Sequence, residues 1–100
     1  MNQIHLEDMI SRSDRIAQRQ FEDQMMIITI HDSKLHKLNR VGTFVWHLLE
    51  KPTSVAEICR AISENFDLFD SNRHFPEMAR FLRDLWEKRL IDVKKGQKPS

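Results

Sequence analysis

The spacing of the apolar residues changes at Asn39, and this change constrains the fold more than any other feature of the chain. Before Asn39, β-branched and other apolar residues crowd into short runs, of which residues 25–30 form the densest. Such runs predict strands. After Asn39, apolar residues recur every three or four positions, which is the period of an amphipathic helix. Strands followed by helices predict an α+β domain rather than an alternating α/β domain.

Three strands are predicted before Asn39, over residues 16–21, 25–30 and 35–38. Polar segments at 22–24 and 31–34 separate the apolar runs and carry turn chemistry, so the strands should form an antiparallel meander. The first strand is bordered by charged and polar side chains, from Arg15 to Gln20, which discourage pairing along its outer edge. The short third strand therefore offers the more accessible edge.

Three helices are predicted after the meander. Asn39 can cap the first, which spans Arg40 to Leu49, and Pro52 breaks it. Ser54 and Glu57 have the spacing of a capping box, so the second helix begins at Val55 and closes within residues 65–70. The predicted apolar stripes are Val41, Phe44, Val45, Leu48 and Leu49 in the first helix, and Val55, Ile58, Cys59, Ile62 and Phe66 in the second.

The third helix carries the stripe Met78, Phe81, Leu82, Leu85 and Trp86 and ends near Arg89. Its start is left open, because Pro76 is favourable in a first turn but would kink a helix that began at Asp70. Residues 91–93 fit a short extended segment. Together these elements predict a winged helix-turn-helix-like domain over residues 15–93, with an N-terminal arm over 1–14 that is either a short helix or loose, and a flexible tail over 94–100.

Composition limits the partners of this domain. The 100 residues suit one domain, and 16 basic against 15 acidic residues provide no overall field to attract nucleic acid. The longest apolar run is too short to span a membrane, so we expect no membrane partner. The chain has one cysteine and no pattern typical of a secretory signal, which predicts a cytoplasmic protein.

Three motifs resemble those of the PqqD family, the peptide chaperones of pyrroloquinoline quinone synthesis. Leu38-Asn39-Arg40-Val41-Gly42-Thr43-Phe44-Val45-Trp46 resembles the signature L-N-x-x-[GA]-x-x-[IV]-W. Ser54-Val55-Ala56-Glu57-Ile58 resembles the family's T-V-x-E-I, and the F-L-x-x-L and G-L-I pattern is approached by Phe81-Leu82-Arg83-Asp84-Leu85 and Arg89-Leu90-Ile91. The chain departs from the pattern at Arg89, where the family usually has glycine, and at Pro76.

The resemblance implies a RiPP recognition element: a non-catalytic module that binds the leader of a ribosomally made precursor peptide. The leader would add as a strand beside the third strand, in the cleft against the third helix, and a modifying enzyme such as a radical SAM enzyme, a cyclase or a protease would receive it. The predicted peptide-binding residues are Lys34, Leu35, His36, Lys37 and Leu38 on the strand and Arg83 and Trp86 on the helix. A solvated position for Arg83, and a place at the edge of the core for Trp86 and Trp46, are the alternatives.

Other functions find less support in the residues. The five histidines are scattered and Cys59 lies on an apolar stripe, so we predict no metal, no cofactor and no catalytic residue. The alternative function is a winged-helix DNA-binding regulator, in which the third helix would enter a major groove. Acidic residues interrupt the basic residues of that helix, which argues against nucleic acid. The sequence leaves open a homodimer formed through the arm.

Overall fold

The computed structural model describes residues 3–66 and 71–96 of the chain. Three strands followed by three helices are confirmed within a larger set of elements. In chain order these are β1 (Met9–Arg12), β2 (Ile16–Phe21), β3 (Gln24–Thr29), β4 (Lys34–Leu38), α1 (Arg40–Leu48), β5 (Thr53–Ser54), α2 (Val55–Asn65), α3 (Ser71–Glu87) and β6 (Ile91–Lys94).

The predicted meander is a three-stranded antiparallel sheet in the order β2-β3-β4. Met25, Ile27 and Thr29 of β3 are buried on the face that packs against the helices. Thr29 ends the strand because its hydroxyl hydrogen-bonds to the Asp32 carboxylate, which also accepts the Lys34 N–H at 3.1 Å. β3 therefore lies one residue earlier than the apolar run predicts.

A second antiparallel sheet, in the order β5-β1-β6, has its central strand within the predicted arm, and its strand β6 covers the extended segment predicted over residues 91–93 and the first residue of the predicted tail. Ile10 in its central strand pairs with Val93 and is fully buried. The predicted arm therefore contains a packed strand. The first residues of the predicted tail are also packed: Lys94 belongs to β6, and the Gly96 N–H donates to the Asp8 carboxylate at 3.1 Å. A four-residue strand is too short to show a period in the sequence. Residues 97–100 lie outside the described residues.

One core joins the sheets and the helices. The predicted stripes of α2 and α3 are confirmed, because Ile58, Ile62, Leu82 and Leu85 are all buried. The stripe of α1 is rotated from the prediction: Val41 is 36% exposed, whereas Trp46 is completely buried rather than at the edge of the core. Trp46 can be buried because its indole N–H donates to the Gln18 side chain at 2.9 Å.

Both predicted helix caps are present. The side chain of Asn39 accepts the Gly42 N–H at 2.7 Å, and Ser54 accepts the Glu57 N–H at 3.1 Å. Gly42 allows α1 and α3 to approach closely, since a Cβ there would lie 3.1 Å from the ring of Phe81. The glycine in the first motif is thus explained by packing against the third.

The third helix begins before Pro76, which lies inside it. At its end, the Arg89 N–H donates to the Trp86 carbonyl at 3.0 Å and the Leu90 N–H donates to the Leu85 carbonyl at 2.9 Å. This pair of bonds is a Schellman motif, which places a left-handed residue just after the helix. Arg89 is that residue, with φ of 64°.

Candidate functional site

A cleft of about 390 Å³ lies between β4 and the C-terminal half of α3, and we call it the β4–α3 cleft. Its residues from the strand side are Leu35, His36, Lys37, Leu38 and Asn39, and those from the helix side are Phe81, Asp84, Leu85, Lys88 and Leu90. The helix residues 81, 84, 85 and 88 follow the three- and four-residue spacing of one helix face. An edge strand and a helix face therefore form the two walls of this cleft.

The register of the sheet determines which main-chain groups of β4 point into the cleft. The Ile30 N–H donates to the Arg15 carbonyl beside β2, whereas the Met25 N–H donates to Thr43 Oγ1 on the side of β4. Main-chain groups alternate between the two neighbours along an antiparallel strand, so the odd-numbered residues of β3 bond to β4.

Because Ile27 pairs with His36 and Ile28 pairs with Leu35, His36 exchanges its main-chain hydrogen bonds with β3. The N–H and C=O groups of Leu35 and Lys37 consequently point away from the sheet, to its free edge. The sequence left this parity open, and the register decides it.

The floor of the cleft is apolar and its rim is charged. Leu38, Leu85 and Leu90 are buried, and Phe81 is partly buried beside them. At the rim, Lys88 Nζ lies 2.9 Å from the Asp84 carboxylate, one turn earlier on α3. Apolar residues below a rim of opposite charges can hold an apolar side chain and align polar groups around it.

His36 lies at the mouth of the cleft and is partly buried. Its Nε2 lies 3.4 Å from the hydroxyl of Thr29, which hydrogen-bonds to Asp32. This hydrogen bond lowers the pKa of Asp32, with smaller contributions from the Lys34 N–H and from the charges of His31 and Lys34. His36 thus has a polar contact with Thr29 inside the domain besides its place at the mouth of the cleft.

The structure brings together four of the seven predicted peptide-binding residues in the cleft, Leu35 to Leu38. Lys34 lines an adjoining hollow of about 270 Å³ together with Arg89. Arg83 is exposed on α3 and does not line the cleft. Trp86 is partly buried on another flank of α3, where the Lys95 ammonium lies 5.4 Å from the centre of its ring.

The helix wall is the part of the site that sequence reasoning missed. Phe81 and Leu85 were assignable only to the core, and Asp84 and Lys88 to a solvated face, because a helical wheel shows which residues share a face but not what that face meets. Asp84, Leu85 and Lys88 can be assigned to the cleft from their three-, four- and seven-residue spacing from Phe81, once β4 is known to lie opposite that residue.

Among the described residues, the possible metal ligands are not gathered into a group that could hold a metal ion, and the one cysteine lies in the core. Within residues 3–66 and 71–96 no three histidine, cysteine, aspartate or glutamate side chains are grouped to hold a metal ion. Cys59 is buried on α2, and burial raises the pKa of its thiol. A raised pKa keeps the thiol protonated and weakly nucleophilic. Among the helices that the structure describes, none is long and apolar enough to cross a membrane.

The fold and the cleft define a small winged-helix-like α+β domain with an open strand edge facing a helix. The sequence matches the family model for coenzyme PQQ synthesis protein D (PqqD) over residues 24–91, so the chain belongs to the PqqD family. The resemblance noted in the motifs is confirmed. Comparison with curated protein sequences finds no match.

A solved structure with the same fold is that of TbiB1 in complex with the TbiA(beta) leader peptide. The two chains are 26% identical and superpose with a TM-score of 0.75, over 82% of this chain and 94% of TbiB1. The match extends beyond the family model and thus includes most of the elements described above.

Proposed function

We propose that this protein is a RiPP recognition element that binds the leader of a ribosomally made precursor peptide as a fourth strand beside β4. The observation that carries the proposal is the pairing of an open strand edge with a helix wall in the β4–α3 cleft. Membership of the PqqD family and the likeness to TbiB1 with its bound leader peptide support it.

Main-chain hydrogen bonds would provide much of the affinity. Leu35 and Lys37 together present two N–H and two C=O groups at the free edge, and each bond formed contributes about 1 kcal/mol net. Strand addition of this kind takes its specificity from pockets for alternate side chains. Here the pocket between Leu38, Phe81 and Leu85 would accept an apolar side chain of the leader.

We further propose that the domain contributes no catalytic group and presents its peptide to a separate modifying enzyme, such as a radical SAM enzyme, a cyclase or a protease. The face of the β2-β3-β4 sheet opposite the helices offers a surface for such a partner. Ile28 is 43% exposed and Leu35 is 53% exposed on this face, where the two residues pair across β3 and β4. Contiguous exposed apolar surface is typical of protein contacts. An added leader strand would lie beside Leu35, at the margin of the same face.

A homodimer through the N-terminal segment would use a surface other than a strand edge of β1. β5 and β6 occupy the two sides of that strand. The alternative of DNA binding receives no support from the comparisons, and Lys88, just after the end of α3, is paired with Asp84.

The experiment that tests the proposal uses proline on β4. Peptides are first selected from a displayed library of random peptides on the immobilised protein, and their dissociation constants are measured by fluorescence polarisation. Lys37→Pro removes an N–H at the free edge without removing a bond to β3, so it should leave the fold intact and weaken peptide binding about tenfold or more. His36→Pro should instead destabilise the domain, because it removes a bond of the sheet.

The matched control is Gln20→Pro. By the same alternation, Gln20 points its N–H to the free edge of β2, opposite the cleft. This variant should fold and should bind selected peptides as the wild type does. Equal affinities for the Lys37→Pro and Gln20→Pro variants would contradict strand addition at β4, as would a failure to select any peptide.

A further inference from the structure

The β4–α3 cleft continues beyond the end of α3 into two further hollows. The first adjoins the cleft through His36 and Lys88 and has a volume of about 270 Å³. The second has a volume of about 600 Å³ and shares His31, Glu87 and Arg89 with the first. Lys34, the first residue of β4, lines the intermediate hollow. A strand that pairs along β4 and passes Lys34 therefore enters these hollows directly.

Arg89 lies where the two hollows join. Its backbone is left-handed, with φ of 64°, a conformation that favours glycine because a Cβ is strained there. Glycine is also the residue expected at this position from the motif. A strained backbone that carries a long side chain into a groove suggests that the side chain has a use, since such strain concentrates at functional positions.

The guanidinium of Arg89 is unpaired among the residues that the structure describes. Among residues 3–66 and 71–96 its side chain has no hydrogen bond or ion pair, although Glu87 and Asp92 line the same hollow. The neighbouring Lys88, in contrast, is paired with Asp84 at 2.9 Å. Arg89 thus keeps its planar set of donors available, and that geometry matches a carboxylate through two parallel hydrogen bonds.

We propose that Arg89 binds a carboxylate side chain of the leader peptide, in the segment that leaves the added strand past Lys34. This inference rests on the proposed function and adds a second contact to it. The strand contact with β4 uses main-chain hydrogen bonds, which do not depend on the leader's side chains. The contact with Arg89 selects an aspartate or glutamate of the leader, at a fixed distance from the leader's apolar residue that occupies the cleft. A purely local role of Arg89, offsetting the negative end of the α3 dipole, requires no peptide and leaves binding unchanged.

The test compares selections and affinities for the wild type and for Arg89→Gly. Peptides selected from the random library on the wild type should be enriched in acidic residues at one distance from an apolar residue, and those selected on Arg89→Gly should lack this enrichment. For one acidic peptide from the wild-type selection, Arg89→Gly should weaken binding about tenfold. The same peptide with glutamine or asparagine at that position should bind both proteins equally, and added salt should reduce the difference.

Arg89→Lys, which keeps the charge but loses the paired donors, should fall between the wild type and Arg89→Gly. The inference is overturned if no acidic position is enriched, or if Arg89→Gly weakens the acidic peptide and its amide analogue alike. Lys37→Pro separates this outcome from failure of the proposed function. If peptides bind Lys37→Pro weakly but bind Arg89→Gly as tightly as the wild type, the Arg89 contact alone is refuted. If peptides bind Lys37→Pro as tightly as the wild type, the strand addition is refuted.

Discussion

Replacing Arg89 by glycine should make the domain more stable. A residue with a Cβ in the left-handed region costs about 1 to 2 kcal/mol relative to the right-handed region, and glycine avoids this cost. Glycine in turn loses more backbone entropy on folding, which returns about 0.4 to 1 kcal/mol. The Arg89 side chain is exposed and has no partner among the described residues that the change would remove. The expected net gain is about 0.5 to 1 kcal/mol.

The measurement is unfolding in guanidinium chloride, whose ionic strength screens the favourable interaction between the arginine charge and the end of α3. In a separate thermal unfolding experiment, a gain of this size corresponds to a rise of about 4 °C in Tm for a domain of this length. Arg89→Ala is the control, since it removes the side chain but keeps the Cβ, and it should give no gain. If Arg89→Gly is as stable as Arg89→Ala or less, the left-handed backbone carries no cost and the reasoning is wrong.

Three further predictions concern the core, the buried carboxylate and turnover. Leu85→Ala should cost about 3 kcal/mol in the free energy of unfolding, and Phe81→Ala less, because Leu85 is only 3% exposed whereas Phe81 is partly buried; equal denaturant midpoints for wild type and Leu85→Ala would contradict the core. Asp8 is buried, which alone would raise its pKa, but hydrogen bonds from His5, Lys95 and Gly96 outweigh burial and lower that pKa. Its contribution to stability is therefore complete above the unfolded value of about 3.9 and is lost as the pH falls through the lower folded value. Urea unfolding should show a steeper loss of stability below about pH 4 for the wild type than for Asp8→Asn; parallel curves would refute this. Mass spectrometry should find a selected peptide unmodified after incubation with the purified protein alone, and a change of mass would refute the absence of catalysis.

Local physical chemistry made much of the fold predictable. Asn39 and Ser54 predict helix starts because each side chain accepts a hydrogen bond from a free N–H group in the first turn of its helix. The apolar stripes of α2 and α3 are equally local, since a period of three and four residues defines one helix face whatever packs against it. The accessible edge of β4 followed from the shortness of that strand and from the charged and polar side chains along the outer edge of β2. These features need only neighbours in the chain, and the motifs that identify the family consist of them.

The rest of the site could not be predicted from the sequence because it depends on contacts between residues that are distant in the chain. β1 forms only because Thr53–Ser54 and Ile91–Lys94 supply its two partners, and nothing in four mixed residues signals such pairing. The helix wall of Phe81, Asp84, Leu85 and Lys88 becomes a binding surface because β4 lies across from it. The direction of the Leu35 and Lys37 main chain depends on the register with β3, which a single strand cannot specify. Trp46 is buried because a glutamine 28 positions away accepts its N–H. Capping and periodicity act within a few residues, whereas register, opposition of faces and partners for buried polar groups are properties of the packed chain.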